Sequence, residues 1–197
     1  QEEEEQRRLQ RAEQRAEAAA HTRDALPAAY RSQVREIHLD ALDAADGPSY
    51  ARHLAARLYR GETFVALVDS HTRFAKDWDA ASIDQLARCD APKPVLTTLP
   101  LGYARAEPAG TAAAVDTFPT DLRPPVITAV GFDPRGILRL GPQQRAAGDG
   151  APVPGLFWSS KFSMCRAEPG FFEAACDPHL PYLRVGADVA AAAALFC

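Results

Sequence analysis

The sequence predicts an α/β domain, a mixed sheet flanked by helices. Three observations predict it. Residues 63–68 (T-F-V-A-L-V) are nearly all apolar, which suits a strand covered on both faces of a parallel or mixed sheet. Apolar runs at residues 95–99, 126–132 and 156–162 repeat the signal further along the chain. Helix-favouring stretches at residues 50–59, 77–87 and 189–196 are interleaved with them, and strands alternating with helices argue for layered α/β packing.

Taken in order, residues 1–24 are rich in Glu, Gln, Arg and Ala, which favour helix, but Leu9 is the only large aliphatic side chain among them. With no apolar stripe to dock it, this stretch reads as a solvated helical or disordered arm. Residues 1–32 are therefore set apart from a domain at residues 33–197. Residues 34–39 (V-R-E-I-H-L) alternate loosely and predict a short strand. Gly47-Pro48-Ser49 predicts a turn and a helix start with Ser49 as N-cap. Leu54 and Leu58 share one face of the helix that follows, and Gly61 suits its left-handed end.

Beyond the strand at residues 63–68 and the helix at 77–87, Pro92-Lys93-Pro94 breaks the chain before the strand at 95–99. Residues 104–125, rich in Ala, Pro, Gly and Thr, predict a long loop. A hairpin at 126–132 and 136–140, a loop at 141–155 and a short strand at 156–162 come next. A proline-punctuated segment at 177–183 precedes an alanine-rich helix at 189–196.

A chain of 197 residues is long enough for one domain with its own core. Its 47% apolar and 24% charged residues give a globular balance, although alanine inflates the first figure. A formal net charge of -4 argues against nucleic acid as a partner, because phosphate binding needs a basic patch. No apolar run approaches the roughly 20 residues that span a bilayer. The opening Gln-Glu-Glu-Glu-Glu is not a signal peptide. A cytoplasmic location is expected, or the Golgi lumen if a membrane anchor precedes this segment. Of the four cysteines, Cys89, Cys165, Cys176 and Cys197, no two have C-x-x-C spacing, which argues against a zinc knuckle. Reduced, partly buried thiols are expected, or a Cys165–Cys176 disulfide in a secreted protein.

The chemistry concentrates in residues 61–79 (G-E-T-F-V-A-L-V-D-S-H-T-R-F-A-K-D-W-D). An apolar strand delivers Asp69 and His71 two residues apart, so both side chains reach one side of an extended segment. A carboxylate oxygen and a neutral imidazole nitrogen suit Mn²⁺ or another divalent cation. Taken alone, Asp-x-His reads equally well as a surface acid beside a loop histidine.

The flanking order adds to this. Gly47-Pro48-x-x-Ala51-Arg52, a helix, Gly61-Glu62, a strand, D-S-H, Phe74 and Trp78-Asp79 follow one another in a series. With P-K-P-V-L-T-T-L-P at residues 92–100 and D-P-H-L-P-Y-L at residues 177–183, this series resembles a family of GT-A glycosyltransferases, the N-acetylglucosaminyltransferases acting on protein hydroxyproline or other hydroxyl groups. Polypeptide N-acetylgalactosaminyltransferases resemble it more distantly. The resemblance implies a GT-A-like mixed sheet, incomplete at both ends, and transfer of GlcNAc from UDP-GlcNAc to a protein acceptor with retention of configuration. It implies that Asp69 and His71 ligate the cation, that Arg52, Asp69 and Ser70 contact the donor, and that Phe74 and Trp78 pack beneath the metal loop, with Asp79 capping or orienting it. His179 reads as structural.

The sequence also departs from that pattern. The family's opening nucleotide-binding strand has no counterpart before Val34. Gly186-Ala187-Asp188 stands where the family has Gly-Glu-Glu, leaving Asp188 as the surviving acid on the acceptor side. These departures support a second reading, a non-catalytic relative that binds a sugar nucleotide or a protein partner.

Overall fold

A computed structural model of the chain describes residues 6, 26–37, 47–106, 115–121, 123–143, 150–168, 170, 171, 175–180, 183 and 186–196. In chain order its elements are α1 (Ala28–Arg31), α2 (Pro48–Ala56), β1 (Phe64–Val68), α3 (Trp78–Ala87), β2 (Val95–Thr97), β3 (Ala104–Ala106), β4 (Val115–Thr117), β5 (Val126–Phe132), β6 (Leu138–Gln143), β7 (Phe162–Arg166) and α4 (Ala187–Phe196). The α/β class holds. Nearly all of the polar arm lies outside the described residues, as does His38. Among the described residues, no helix is long and apolar enough to cross a membrane.

The main sheet has the order β1-β7-β2. Both outer strands pair antiparallel with β7, so β1 and β2 run in the same direction with α3 between them in sequence. This is a split β-α-β arrangement whose central strand comes from far along the chain. Cys165 of β7 sits opposite Val65 on one side and Val95 on the other. Ser163, Met164 and Cys165 are all buried. Adjacent residues in a strand point to opposite faces, so burial of all three means the sheet is covered on both sides.

One cover is a core cluster of Trp158, Cys165, Phe171, Ala175, Cys176, Ala191 and Ala192, with Val65, Leu67, Val95 and Leu195 packed around it. The alanine run of α4 lets that helix approach closely, because each position presents only a methyl group. Helix α3 packs against β2 and β7 and buries Leu86.

Local chemistry explains most boundaries. Gly47 is the N-cap of α2 with φ 91°, and Pro48 occupies the first turn, where its missing N–H costs nothing. Ser49 is buried in that first turn rather than capping it. The helix ends at Arg57, four residues ahead of Gly61, whose φ of 100° instead serves the turn into β1. There the Glu62 carboxylate accepts the Arg60 backbone N–H at 2.8 Å and pairs with Arg35. These two contacts, the backbone bond first, hold the Glu62 carboxyl down to about 2.

Four expectations are corrected. Residues 34–37 form no strand; the Arg35 side chain pairs with Glu62. Within the expected loop at 104–125, β3 and β4 pair as a short ribbon. The strand expected at 156–162 begins only at Phe162, because Trp158 turns inward to the core and Ser159 and Ser160 are engaged in side-chain contacts. The second hairpin strand runs on to Gln143, with Pro142 opposite Ile127 and a bulge between Ala129 and Gly131.

Cys89, Cys165 and Cys176 are free thiols. Burial pushes Cys165 up to about 12, helped by the charge of Glu168, and Cys176 up to about 11. Both groups are neutral in the fold, so the stability tied to them is full below the ordinary thiol value near 9 and is lost as pH rises towards 11–12. Both thiols should resist a disulfide-exchange reagent at pH 8 in the native protein and react on unfolding, as followed by absorbance.

Trp158 is 2% exposed, and its Nε1 finds no partner among the described residues. Trp158→Ala should cost about 3–5 kcal/mol in denaturant unfolding through the cavity it leaves. Trp158→Phe should cost less, since it fills most of the space and removes the unpaired N–H.

Candidate functional site

Because β1 and β2 run in parallel, their carboxyl ends open on the same edge of the sheet, where ligands gather in layered α/β folds. The chain leaving β1 carries Asp69-Ser70-His71 onto that edge, and the Thr72 N–H donates to the Asp69 carbonyl at 3.0 Å to close a turn. One step beyond the last β1–β7 pair, the Asp69 N–H donates to the Lys161 carbonyl at 3.2 Å. The acid is thus fixed to the central strand through its backbone.

The side chains of the turn meet. His71 Nδ1 lies 3.5 Å from Asp69 Oδ1. Ser70 Oγ bridges them, donating to Asp69 Oδ1 at 3.2 Å and standing 3.2 Å from His71 Nδ1. Partial burial pushes the Asp69 carboxyl up, but hydrogen bonds from His71 and Ser70 outweigh it and hold the group below its ordinary value. Tyr103 Oη donates to the His71 carbonyl at 3.2 Å and steadies the turn from the loop beyond β2.

This turn forms one wall of a cleft of about 340 Å³. Asp69, His71, Arg73 and Lys161 give it charge and polarity, while Tyr103 and Phe118 are the aromatic part of its apolar lining. The Arg73 guanidinium lies 5.4 Å from the centre of the Tyr103 ring, and the Tyr103 and Phe118 rings are 6.3 Å apart. The volume is in the range of small-molecule sites.

Asp69 and His71 are the residues that could hold a divalent cation. One carboxylate oxygen and one imidazole nitrogen stand 3.5 Å apart, against about 3 Å for neighbouring ligands in an octahedron with bonds of about 2.1 Å. Among the described residues, no cluster of three His, Cys, Asp or Glu side chains forms.

A family model described as Glycosyltransferase (GlcNAc) matches residues 1–197. The chain belongs to that glycosyltransferase family. No curated protein and no solved structure gives a significant match. Glycosyl transfer requires a donor sugar with a leaving group and an acceptor nucleophile.

The remaining anticipated residues do not line the cleft. Ser70 links the acid to the imidazole. Asp188, in the first turn of α4, accepts the Ser160 N–H at 3.3 Å. Arg52 is half-buried on α2, close enough to Cys176 for its charge to act on that thiol. Phe74 and Trp78 stack on each other at 4.3 Å, but Phe74 is exposed and neither joins the core cluster. The N-cap of α3 is Asp77, in a left-handed conformation with φ 58°, and Asp79 sits in the first turn, where a carboxylate complements the helix dipole. His179 lies in a turn where its own N–H donates to Asp177 Oδ1 at 2.8 Å.

Lys161, Arg73, Tyr103 and Phe118 are cleft residues that the sequence reading did not single out. Arg73 stands two places after His71 and was within reach of the motif. The others are joined to it only by strand pairing and loop packing.

The lowered carboxyl of Asp69 adds stability above its ordinary value, and this is lost as pH falls through the folded value. In a carboxyl NMR titration, Ser70→Ala and His71→Ala should each move Asp69 upward towards its ordinary value, with the pair together moving it furthest.

Proposed function

We propose that this family member transfers GlcNAc from UDP-GlcNAc to a protein hydroxyl, using a divalent cation such as Mn²⁺. The observation that carries the reading is the Asp69–His71 contact of 3.5 Å at the mouth of a cleft of about 340 Å³. A carboxylate and an imidazole aimed at one point beside a ligand-sized cavity are suited to a cation that grips a diphosphate. The resemblance to GT-A enzymes acting on hydroxyproline or other hydroxyl groups supplies the donor, the acceptor class and retention of configuration.

Asp69 and His71 would hold the cation, which when bound neutralises charge on the departing diphosphate. The chain's own groups do the rest. The cleft orients the donor with its anomeric carbon towards the acceptor. The bond from that carbon to the diphosphate breaks, and its electron pair leaves with UDP. The acceptor oxygen bonds to the same carbon, and its proton passes to the departing phosphate oxygen on the same face. Arg73 and Lys161 stabilise the charge that develops, acting as preset positive groups. Asp69 stays ionised through its hydrogen bonds, as a ligand must.

A second reading is supported by Asp188. Its carboxylate accepts the Ser160 N–H and it does not line the cleft, which supports a site that lacks an acceptor-side acid. In that reading the protein binds the sugar nucleotide without transferring it.

Mn²⁺ with UDP at about a hundredfold excess over its Kd should stabilise the protein by about 2.7 kcal/mol in thermal unfolding. His71→Ala and Asp69→Asn should remove the part of that shift that depends on Mn²⁺. UDP release from UDP-GlcNAc with a hydroxyl-bearing acceptor peptide should fall by about a hundredfold or more in either variant. A shift without UDP release would select the binding-only reading, and no shift at all would remove both.

A further inference from the structure

The turn that carries Lys161 is held from several sides. The Ser159 N–H donates to Thr97 Oγ1 at 3.0 Å, and Thr97 Oγ1 donates to the Phe162 carbonyl at 3.0 Å. The Lys161 N–H donates to Ser159 Oγ at 3.2 Å, and the Ser160 N–H donates to Asp188 Oδ2 at 3.3 Å. Ser159 is 1% exposed, so these bonds are sheltered from water. The Lys161 carbonyl then accepts the Asp69 N–H. A surface lysine needs no such framework, whereas a group that must meet a ligand at a set position does.

The charge balance of the cleft points the same way. Among the residues lining the cleft, the cations Arg73 and Lys161 outnumber the single Asp69 carboxylate. The whole chain is formally at -4, so this is a local positive site on a negative molecule. Among the described residues, no ion pair occupies the Lys161 ammonium. Arg73 already lies against Tyr103, which leaves Lys161 as the more adaptable cation. Among the described residues, Asp69 and His71 are joined by no third His, Cys, Asp or Glu that could hold a metal.

We infer that Lys161 is a diphosphate-binding residue, giving this cleft a grip on the donor's pyrophosphate that does not depend on the bound cation. The inference rests on the sugar-nucleotide reading above and deepens it. Asp188 is then a positioning residue: through the Ser160 N–H it fixes the turn that aims Lys161, and it need not touch the acceptor.

The experiment is direct binding of UDP and of inorganic pyrophosphate to the full chain, by calorimetry, in EDTA and in Mn²⁺. It compares the native protein with Lys161→Met and Lys161→Arg, each checked by thermal unfolding. In EDTA the native protein should bind both ligands, Lys161→Met should bind them on the order of tenfold more weakly, and Lys161→Arg should keep most of the affinity. Asp188→Asn should weaken EDTA binding in the same direction but less. Equal affinity of native protein and Lys161→Met in EDTA would overturn the inference. So would native binding that appears only with Mn²⁺, a result that leaves the proposed transfer standing. Absence of UDP binding in both conditions would remove the proposed function together with this inference.

Discussion

The antiparallel seam between β1 and β7 is the contact on which the rest of the molecule depends. It places a strand from residues 162–166 between two strands from the first half of the chain. Because that strand is central, all three of its middle side chains are buried, and the core forms on both faces of it. Because the seam continues by one hydrogen bond past its last pair, Asp69 is locked beside Lys161. Fold and cleft therefore share one ladder. A shift of register by one residue would turn Cys165 away from its cluster and carry the lysine off the acid at the same time.

What the sequence made legible is what local chemistry controls. The apolar run before Asp69 was enough to anticipate β1, but Asp69 and His71 meet because the chain turns at residues 69–72, not because an extended segment puts i and i+2 on one side. The helices at Trp78–Ala87 and Ala187–Phe196 followed from propensity and composition. The central strand was missed because F-S-M-C-R is interrupted by Ser163 and ends on Arg166, while the more apolar L-F-W-S-S just before it looked better. Burial from two neighbours, not apolarity, makes F-S-M-C-R a strand, and neighbours are not visible in a linear reading. The ribbon of β3 and β4 was hidden in the same way, inside a stretch whose Ala, Pro, Gly and Thr content signals a loop.

The candidate site divides along the same line. Asp69, Ser70 and His71 are consecutive, so their meeting was predictable from the motif. Lys161, Tyr103 and Phe118 enter the cleft by long-range pairing and loop placement, and nothing near them in sequence announces it. Asp188 is a different case: the sequence picked it out as an acid, but nothing local announced that its carboxylate would accept a backbone N–H two residues before the central strand.

The order in which the main sheet is assembled has a further consequence for how the protein is made. A ribosome releases β1 and β2 long before β7 exists, so during synthesis each has an unsatisfied edge with nothing to fill the gap between them. Contacts between partners so distant in sequence form slowly, because a long loop must close before any pairing rewards it. The nascent chain therefore passes through an interval in which T-F-V-A-L-V is exposed and sticky. That places a demand on chaperones, or on rapid translation of the residues between β2 and β7, which a fold built from consecutive hairpins would not face.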